Sequence, residues 1–479
     1  MAKTPLIGRR GLLGGAAAAA LLAGPLGSRF AQATTKTFRL KAAPARAAIV
    51  GSGHPDTEVW AYNSETPGPV LRLRQGERIR IEVENALPQD TTVHWHGLRV
   101  PNAMDGVPGL TQPPIAPGAK FVYEFDVSDA GTFWYHPHAH SAEQIERGLA
   151  GALIVEDAAP PAVDRDLVWI LDDWRLTREA AIAGDFGAMM DASHAGRIGN
   201  TVTINGRIPG AIAARANERI RLRLINVANG RVFALEFRGL APTIVALDGQ
   251  PVEPHTPDDA RVVLGPGQRA DLIMDMAVTP GGRTAVIDSF YHQRTYSLVE
   301  FAVEGTTRSA PLKDPVRLAA NPLPALDLAQ ADRHAIAFGG GMMDPALGRA
   351  QREGRLDAEA LRAVRERMAA GHIWTVNGRT VGAHGHERLF AIKRGRTCVL
   401  DLDNQTAWDH PIHLHGVVFR VLERDGKPPA RTEWRDTEML RPGQRATVAF
   451  AAETAGDWML HCHVLEHQAT GMSGVFRIE

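Results

Sequence analysis

The feature that most constrains the fold is a strand-like unit that occurs three times along the chain. Each copy has a Gly- or Asn-containing turn followed by apolar residues that alternate with charged ones, most strictly at residues 77–84 and 218–225. The third copy lies at residues 393–402, and a Pro-Gly turn precedes a further strand in each of the three repeats. Strict alternation predicts a strand with one face in the core and the other in solvent. The spacing of the copies predicts an all-β chain of three β-sandwich domains, each about 120–150 residues long.

The composition agrees with a globular protein made of strands and turns. Of the 479 residues, 44% are hydrophobic and 22% are charged, which is ordinary for a chain with sizeable buried cores. The 47 glycines and 31 prolines suit strands joined by turns better than they suit helices. The formal net charge of -1 argues against a nucleic acid or an anionic membrane surface as a partner.

The first 33 residues have the features of an export signal. Arg9 and Arg10 form a twin-arginine pair, an Ala- and Leu-rich stretch follows, and Ala31 and Ala33 make a small-x-small cleavage site. Glycines and a proline interrupt the apolar stretch, which is short for a membrane span. We therefore expect residues 1–33 to be a twin-arginine signal peptide. It would deliver the protein to the periplasm through the twin-arginine export machinery, without a stable membrane anchor.

Two segments interrupt the strand pattern. Residues 306–330 are rich in Pro, Ala and Leu and show little alternation, which predicts a linker before the third domain. Between residues 344 and 370, the spacing of Leu361, Val364 and Met368 instead predicts a helix inserted over the third sandwich. A solvated helix is the simpler interpretation of this insertion, and a lid over a substrate site is the alternative.

Histidines occur in four dense clusters, two in the first repeat and two in the third. Because side chains alternate along a strand, the two rings of a His-x-His pair lie on one face. In the last cluster His461 and His463 would therefore face one way and Cys462 the other. The clusters are His94-Trp95-His96-Gly97, Trp134-Tyr135-His136-Pro137-His138, His410-Pro411-Ile412-His413-Leu414-His415-Gly416, and His461-Cys462-His463 with His467 and Met472 downstream.

These residue types predict copper. A thiolate, two imidazoles and a weak axial thioether form the ligand set that blue copper prefers. The residues that supply this set are His410, Cys462, His467 and Met472. Eight further histidines would suit one copper with two imidazoles and a pair of coppers with three each. These are His94, His96, His136, His138, His413, His415, His461 and His463.

The weight of this prediction comes from the number of clusters. One His-x-His pair alone is more often a surface or core feature, or a zinc site, but four clusters with a cysteine among them favour copper. The second repeat has no such pairs. The metal sites are therefore predicted in the third repeat and at its contact with the first.

The four motifs resemble those of the multicopper oxidases, most closely the three-domain bacterial laccase and copper-efflux-oxidase branch. The resemblance covers nearly the whole chain after the signal segment. It implies three cupredoxin-like Greek-key β-sandwich domains, at residues 36–158, 164–305 and 331–479. It also implies four copper ions. One type 1 copper would lie in the third domain, and one type 2 and two type 3 coppers would form a trinuclear cluster between the first and third domains.

The resemblance further implies which residues hold each copper. The type 1 copper would have the blue set with Met472 as its axial ligand, as in bacterial members. His94 and His413 would hold the type 2 copper. The two type 3 coppers would be held by His96, His136 and His463, and by His138, His415 and His461.

The implied reaction takes electrons one at a time at the type 1 copper and reduces O2 to water at the trinuclear cluster. Cys462 would pass the electrons on, and protons must also arrive. Asp105 lies where relatives have an acidic residue near the type 2 copper, although an Asp before Gly is also common in turns. Relatives of this branch often have Glu where this chain has Gln468, which does not ionise. Proton delivery would therefore use Asp105, Glu466 or water chains.

The sequence constrains the reducing substrate least. Copper-efflux oxidases typically carry a Met-rich insertion, whereas this chain has 12 methionines in all, with Met342, Met343 and Met368 at its third-domain insertion. We therefore expect a laccase-like oxidase of phenols and aromatic amines. The alternative is a cuprous oxidase in copper tolerance, with Met189 and Met190 as further candidate Cu(I) ligands. A copper-free envelope or cell-division scaffold of the same fold is less favoured, because all twelve ligand positions are filled.

Overall fold

The computed structural model describes residues 35–354, 358–380 and 388–479. The predicted signal peptide at residues 1–33 lies outside them. Within the described residues, thirty β-strands form six sheets and the helices are short, so the all-β prediction is confirmed. No helix in this part of the chain is long and apolar enough to cross a membrane.

The first sandwich consists of two sheets and one short helix. Its elements are β1 (Thr35–Ala47), β2 (Thr57–Tyr62), β3 (Gly68–Arg74), β4 (Arg78–Asn85), β5 (His94–His96), β6 (Lys120–Asp126), β7 (Gly131–His136), α1 (Ser141–Glu146) and β8 (Gly151–Glu156). One sheet has the order β2-β1-β4-β6 and the other the order β3-β8-β7-β5. The pairing of β5 with β7 sets His94 opposite His136.

The second sandwich is larger and has no histidine pair in its strands. Its elements are β9 (Arg165–Trp174), α2 (Met189–Ser193), β10 (Thr201–Ile204), β11 (Ile212–Ala216), β12 (Arg219–Asn226), β13 (Phe233–Phe237), β14 (Thr243–Leu247), β15 (Gln250–His255), β16 (Arg261–Leu264), β17 (Arg269–Asp275), β18 (Arg283–Asp288) and β19 (Tyr296–Thr306). The sheet orders are β10-β9-β12-β17-β14-β15 and β11-β19-β18-β13-β16.

The third sandwich carries the remaining histidine clusters. Its elements are β20 (Asp332–Gly340), α3 (Pro345–Arg352), α4 (Ala358–Ala369), β21 (Trp374–Val376), β22 (Arg388–Ile392), β23 (Thr397–Asn404), β24 (His410–Leu414), β25 (Phe419–Arg424), β26 (Trp434–Arg435), β27 (Thr437–Leu440), β28 (Arg445–Ala451), β29 (Gly456–Cys462), α5 (Leu465–Ala469) and β30 (Ser473–Ile478). The sheet orders are β21-β20-β23-β28-β25-β26 and β22-β30-β29-β24-β27. Neighbouring strands β24 and β29 set His413 opposite His461.

Alternation in β4 produces the expected half-buried strand. Ile79, Ile81 and Val83 are fully buried in the core of the first sandwich. The charged residues between them lie on the other face, where Arg78 Nε is 2.9 Å from Glu124 Oε1 of β6. The prediction for this strand is therefore confirmed.

Strand β12 departs from the expected exposure. All eight of its residues are buried, so the half-buried strand predicted for residues 218–225 is wrong. Its charged face lies against the first domain, where Arg221 Nη1 is 2.6 Å from Asp157 Oδ2. Arg223 Nη1 donates to Thr132 Oγ1 of the same domain at 3.0 Å. The alternating arginines mark a contact between domains, where buried charges are tolerated because each is paired.

The chain between β19 and β20 runs along the first two domains. It contains a 3-10 turn, Leu328–Gln330, and otherwise neither helix nor strand in its described residues. The Asn321 side chain exchanges two hydrogen bonds of 2.8 Å with the backbone of Ala130. It also donates to Gln250 Oε1 at 2.9 Å. These bonds fix the segment to both domains.

Two helices, rather than one, occupy the region expected to be helical. Helices α3 and α4 flank residues 355–357, which lie outside the described part of the chain. Met368 of α4 packs on the core of the third sandwich. Most of the other described side chains of α4 are exposed, as in a solvated helix.

Candidate metal centres

Three buried side chains meet in the third domain. His410 begins β24, Cys462 ends β29 and His467 lies in α5. Cys462 Sγ is 3.5 Å from His410 Nδ1 and 3.7 Å from His467 Nδ1. The two Nδ1 atoms are 3.1 Å apart. The structure thus brings together a thiol and two imidazoles that lie up to 57 positions apart in the sequence.

Hydrogen bonds on the far side of each ring fix its tautomer. His467 Nε2 donates to the carbonyl oxygen of His194 at 2.7 Å. His410 Nε2 lies 2.7 Å from Thr406 Oγ1, a hydroxyl that itself donates to Asn404 and therefore accepts from the ring. Each Nδ1 is left with a lone pair. Burial lowers the pKa of His467 to about 3 and that of His410 well below its ordinary value, so both rings are neutral.

Met472 and Trp374 belong to the hydrophobic cluster that contains Cys462. Met472 is fully buried in the hydrophobic cluster that contains Cys462, and its carbonyl oxygen accepts from Cys462 N at 3.0 Å. The Trp374 ring centroid is 4.2 Å from that of His467. Val464 N donates to Cys462 Sγ at 3.4 Å. Two facing lone pairs and a thiol, with Met472 buried in the same hydrophobic cluster, form a site that fits a soft cation.

The other eight histidines form one buried group between the first and third domains. The His94 ring stacks on that of His415 with centroids 3.9 Å apart, and the His96 ring stacks on that of His413 at 3.8 Å. Ligand atoms within 4.8 Å of one another form three triplets. These are His94, His96 and His413; His96, His136 and His463; and His138, His415 and His461.

Lone pairs also converge within this eight-histidine group. His461 Nδ1 donates outward to Cys462 O at 2.8 Å, and His415 Nδ1 donates outward to Asp105 Oδ2 at 2.9 Å. Their Nε2 atoms, 3.0 Å apart, therefore both carry lone pairs. Burial and neighbouring imidazoles lower the pKa of both rings, so the rings are neutral. Other buried nitrogens without a partner among the described residues are His94 Nε2, His96 Nδ1, His136 Nε2, His413 Nε2 and both nitrogens of His463. These residues fit metal ions.

Asp105 supports two rings of the group from outside. Its buried carboxylate accepts from His415 Nδ1, and its main-chain carbonyl oxygen accepts from His94 Nδ1 at 2.8 Å. Both contacts are made by Nδ1, on the side of each ring that faces away from the convergent nitrogens. Asp105 therefore lies behind the two rings, and a ligand atom of Asp105 also lies within 4.8 Å of those of His94 and His415.

Asp436 supports two more rings, and nothing in the sequence pattern indicated it. Its carbonyl oxygen accepts from His413 Nδ1 at 2.8 Å, and its Oδ1 lies 3.1 Å from His96 Nε2. Arg269 of the second domain donates to both carboxylate oxygens, at 2.8 and 2.6 Å. Burial raises the pKa of Asp436, but the contacts with Arg269 and His413 together outweigh burial and hold that pKa well below its usual range. Arg269 follows the Pro-Gly turn of the second repeat, and this turn was the only sequence feature that could have pointed to Arg269 or Asp436.

Comparison with known proteins identifies the arrangement. Family profiles described as multicopper oxidase match residues 45–160, 165–302 and 358–479. The chain is 31% identical to "Multicopper oxidase MmcO" of Mycobacterium tuberculosis, over 92% of this chain and 86% of that relative. The chain belongs to the multicopper oxidase family.

Solved structures of multicopper oxidases have the same fold. The multi-copper oxidase from Pseudomonas thermotolerans is 32% identical, with a TM-score of 0.78 over 93% of this chain and 100% of that chain. A bacterial laccase-like multi-copper oxidase, CueO from Ochrobactrum sp., is 26% identical, with a TM-score of 0.76 over 93% of this chain and 99% of that one. The three cupredoxin-like domains and four copper ions as cofactors are therefore confirmed. As a multicopper oxidase, the protein is a copper-dependent oxidoreductase with O2 as acceptor, which excludes a copper-free scaffold.

Two glycines allow the domains of this multicopper oxidase to approach the eight-histidine group closely. Gly97, with φ of 87°, ends the His-Trp-His-Gly motif, and a Cβ there would overlap the Arg269 guanidinium. Gly267 of the second domain has φ of 83°, and a Cβ there would lie 2.8 Å from His463 Cδ2 and 3.1 Å from His96 Cε1. The second domain therefore packs directly against the group without contributing a histidine to it.

A cavity of about 560 Å³ lies beside the eight-histidine group. His138, Gln468 and Glu466 are among its lining residues. Gln468 Nε2 is 3.5 Å from His138 Nε2, and Ser141 Oγ donates to Gln468 Oε1 at 3.4 Å. Glu466 accepts from the backbone N–H of Arg197 at 3.0 Å. Both His138 and the neutral Gln468 amide therefore face the cavity, and Gln468 stands at the position where the sequence shows no ionisable group.

Proposed function

We propose that the copper ligands are those implied by the sequence motifs. The observation that carries this assignment is the convergence of neutral, buried imidazole lone pairs at the Cys462 centre and within the eight-histidine group. The proposed type 1 ligands are His410, Cys462, His467 and Met472. The proposed type 2 ligands are His94 and His413. The proposed type 3 ligands are His96, His136 and His463 for one copper, and His138, His415 and His461 for the other.

The bound coppers supply one-electron acceptance at the type 1 site and four-electron reduction of O2 to water at the trinuclear cluster. Cys462 is suited to connect the two, because its Sγ faces His410 and His467 while its carbonyl oxygen accepts from His461 Nδ1. The proton supply expected of Asp105 stays a prediction. Its contacts with two proposed ligand rings favour a positioning role for it as well.

We propose phenols and aromatic amines as the reducing substrates, which makes the protein a laccase-like oxidase. The Ochrobactrum relative is described as having oxidase activity towards lignin model compounds and lignosulfonate. The third-domain insertion of this chain consists of short helices whose described side chains include one methionine, Met368. Aromatic reductants are therefore favoured over a dedicated Cu(I) substrate.

One observation keeps cuprous oxidase as a second candidate. Met189, Met190, Met342 and Met343 are 43–66% exposed, which is unusual for methionine. Met342 N donates to Ser193 O at 2.8 Å, which brings the two methionine pairs to the same side of the molecule. Thioether sulfur is a soft ligand that suits Cu(I).

We also propose that the protein acts in the periplasm after twin-arginine export, as the pair Arg9 and Arg10 predicts. Replacing both by lysine should keep the protein in the cytoplasm, as measured by cell fractionation. The domain limits of 36–158, 164–305 and 331–479 and the linker at 306–330 remain part of this proposal.

The deciding experiment is oxygen uptake by the copper-loaded protein with a methoxyphenol and with Cu(I) in parallel. We expect a higher kcat/KM for the methoxyphenol. A variant with all four exposed methionines changed to leucine should then lose Cu(I) oxidation only, because leucine preserves the packing but removes the sulfur. A much higher kcat/KM for Cu(I) that this variant loses would establish the second candidate instead.

A further inference from the structure

All proposed type 1 ligands are buried away from a reductant in solvent. His410, Cys462, His467 and Met472 are each fully buried. The outward nitrogen of His467, Nε2, is already bonded to the carbonyl oxygen of His194 at 2.7 Å. An electron donor therefore has to reach this centre through the residues that cover His467.

Residues 189–194 of the second domain form that cover. Three consecutive carbonyl oxygens of the cover each accept a hydrogen bond from the third domain. The pairs are Ala192 O with Trp374 Nε1 at 2.7 Å, Ser193 O with Met342 N at 2.8 Å, and His194 O with His467 Nε2 at 2.7 Å. Because three successive bonds hold it, the cover is a fixed part of the path to the centre.

Two neighbouring rings, that of His194 in the cover and that of Trp408 in the third domain, are partly exposed. The centroids of the His194 and Trp408 rings are 5.1 Å apart, with an angle of 63° between the ring planes. His194 Nδ1 donates to Met190 O at 3.1 Å, and Trp408 Nε1 donates to Met342 O at 2.9 Å. Both rings are therefore held in place at the surface.

Each of these rings is connected to a different type 1 imidazole. His194 is connected to His467 through its own carbonyl oxygen. The carbonyl oxygen of Trp408 lies 3.3 Å from Thr406 Oγ1, which accepts from His410 Nε2 at 2.7 Å. Covalent and hydrogen-bonded paths carry electrons better than gaps through space do, so both rings are well connected to the centre.

We propose that His194 and Trp408 form the surface at which the reductant docks, and that its electron passes through the hydrogen bond between His194 O and His467 Nε2. This rests on the proposed type 1 ligands. An aromatic donor packs against the two rings, whose edge-to-face arrangement leaves aromatic surface for a third. The donor loses one electron, which the type 1 centre accepts. A phenol also loses its proton to solvent and becomes a phenoxyl radical.

The test is anaerobic stopped-flow reduction of the copper-loaded protein, followed by the loss of its blue absorbance. A methoxyphenol and hexacyanoferrate(II) serve as separate electron donors. The variants are His194→Ala, Trp408→Leu and their combination, with Trp408→Phe as the conservative change. His255→Ala is the matched control, because His255 is also a partly exposed second-domain histidine whose Nδ1 bonds a nearby carbonyl oxygen.

We expect the double variant to be reduced at least tenfold more slowly by both donors, and Trp408→Phe and His255→Ala to stay within twofold of the parent. Copper content, the electron paramagnetic resonance spectrum and the type 1 reduction potential should not change, because the His194 carbonyl remains. Reduction of the double variant at the parental rate would overturn the proposal. A shift in the type 1 reduction potential large enough to explain the slower reduction would also overturn the proposal. Reduction of the parent by hexacyanoferrate(II) but not by the phenol would instead refute the laccase-like function, while a slower double variant would still support the docking surface.

Discussion

Arg269 offers the sharpest test of how the second domain supports the copper cluster. Its side chain is fully buried and binds both carboxylate oxygens of Asp436, while its Nε donates to Thr132 O at 3.2 Å. The change Arg269→Met keeps much of the side-chain volume but leaves Asp436 as a buried charge without its cation. Breaking a buried ion pair from one side costs about 3–5 kcal/mol. We expect a loss of unfolding free energy at the lower end of this range, because Thr437 Oγ1 still donates to Asp436 at 2.8 Å.

The assay is urea unfolding of the copper-free protein, together with the copper content after loading. Arg269→Met should lower the unfolding midpoint and reduce copper bound at the trinuclear cluster, because Asp436 positions His413 and His96. Arg445→Met is the matched control, since Arg445 is 76% exposed and its pair with Asp403 contributes little.

A second change separates unpaired charge from lost packing. Adding Asp436→Asn to Arg269→Met removes the uncompensated charge and should restore part of the stability. If Arg269→Met unfolded like the Arg445→Met control, the role assigned to the buried pair would be refuted. If the double variant recovered nothing, lost packing would be the better explanation.

Two further predictions follow from the histidine environment. The copper-free protein should lose stability as the pH falls from about 6.5 towards 3. Burial lowers the pKa of His467 to about 3, so this ring stays neutral in the folded protein while histidines of the unfolded chain take up protons. Equal urea midpoints at pH 7.5 and 5.5 would contradict this prediction. Gly267→Ala should reduce the copper occupancy of the trinuclear cluster, because the added Cβ would press on His463 and His96. Gly281→Ala is the control and should not reduce it, since Gly281 has a φ of 84° but no atom within 4 Å of an added Cβ. Equal copper contents of the two variants would show that the close approach at Gly267 is unimportant.

The direction in which a side chain points from its strand was predictable from the sequence, because it depends on local strand periodicity. The alternation in β4 and the separation of Cys462 from His461 in β29 depend on neighbours along one strand, and both agree with the described structure. The burial of Arg221 was not predictable in this way, because it depends on Asp157 in another domain.

The supporting residues of the metal centres escaped prediction for the same reason. Asp436 lies 167 positions from Arg269, and His194 lies 273 positions from His467. His194 acts on His467 through its main-chain carbonyl oxygen, which any residue type supplies and which therefore leaves no sequence signature. Thr406, four residues before His410, was the nearest to detection, since a hydroxyl at that distance can reach a histidine ring.

The most direct test of the ligand assignment is the copper content and electron paramagnetic resonance spectrum of the parent, Cys462→Ser and Cys398→Ser. Cys398 is the matched control, because it is the other cysteine and is buried in the same third-domain core. The parent and Cys398→Ser should each hold four coppers per chain and show the blue absorbance. Cys462→Ser should hold three, lose the type 1 signal and the blue colour, and keep the type 2 signal. Four coppers and a blue Cys462→Ser protein would contradict the assignment of Cys462 and of the type 1 centre built around it.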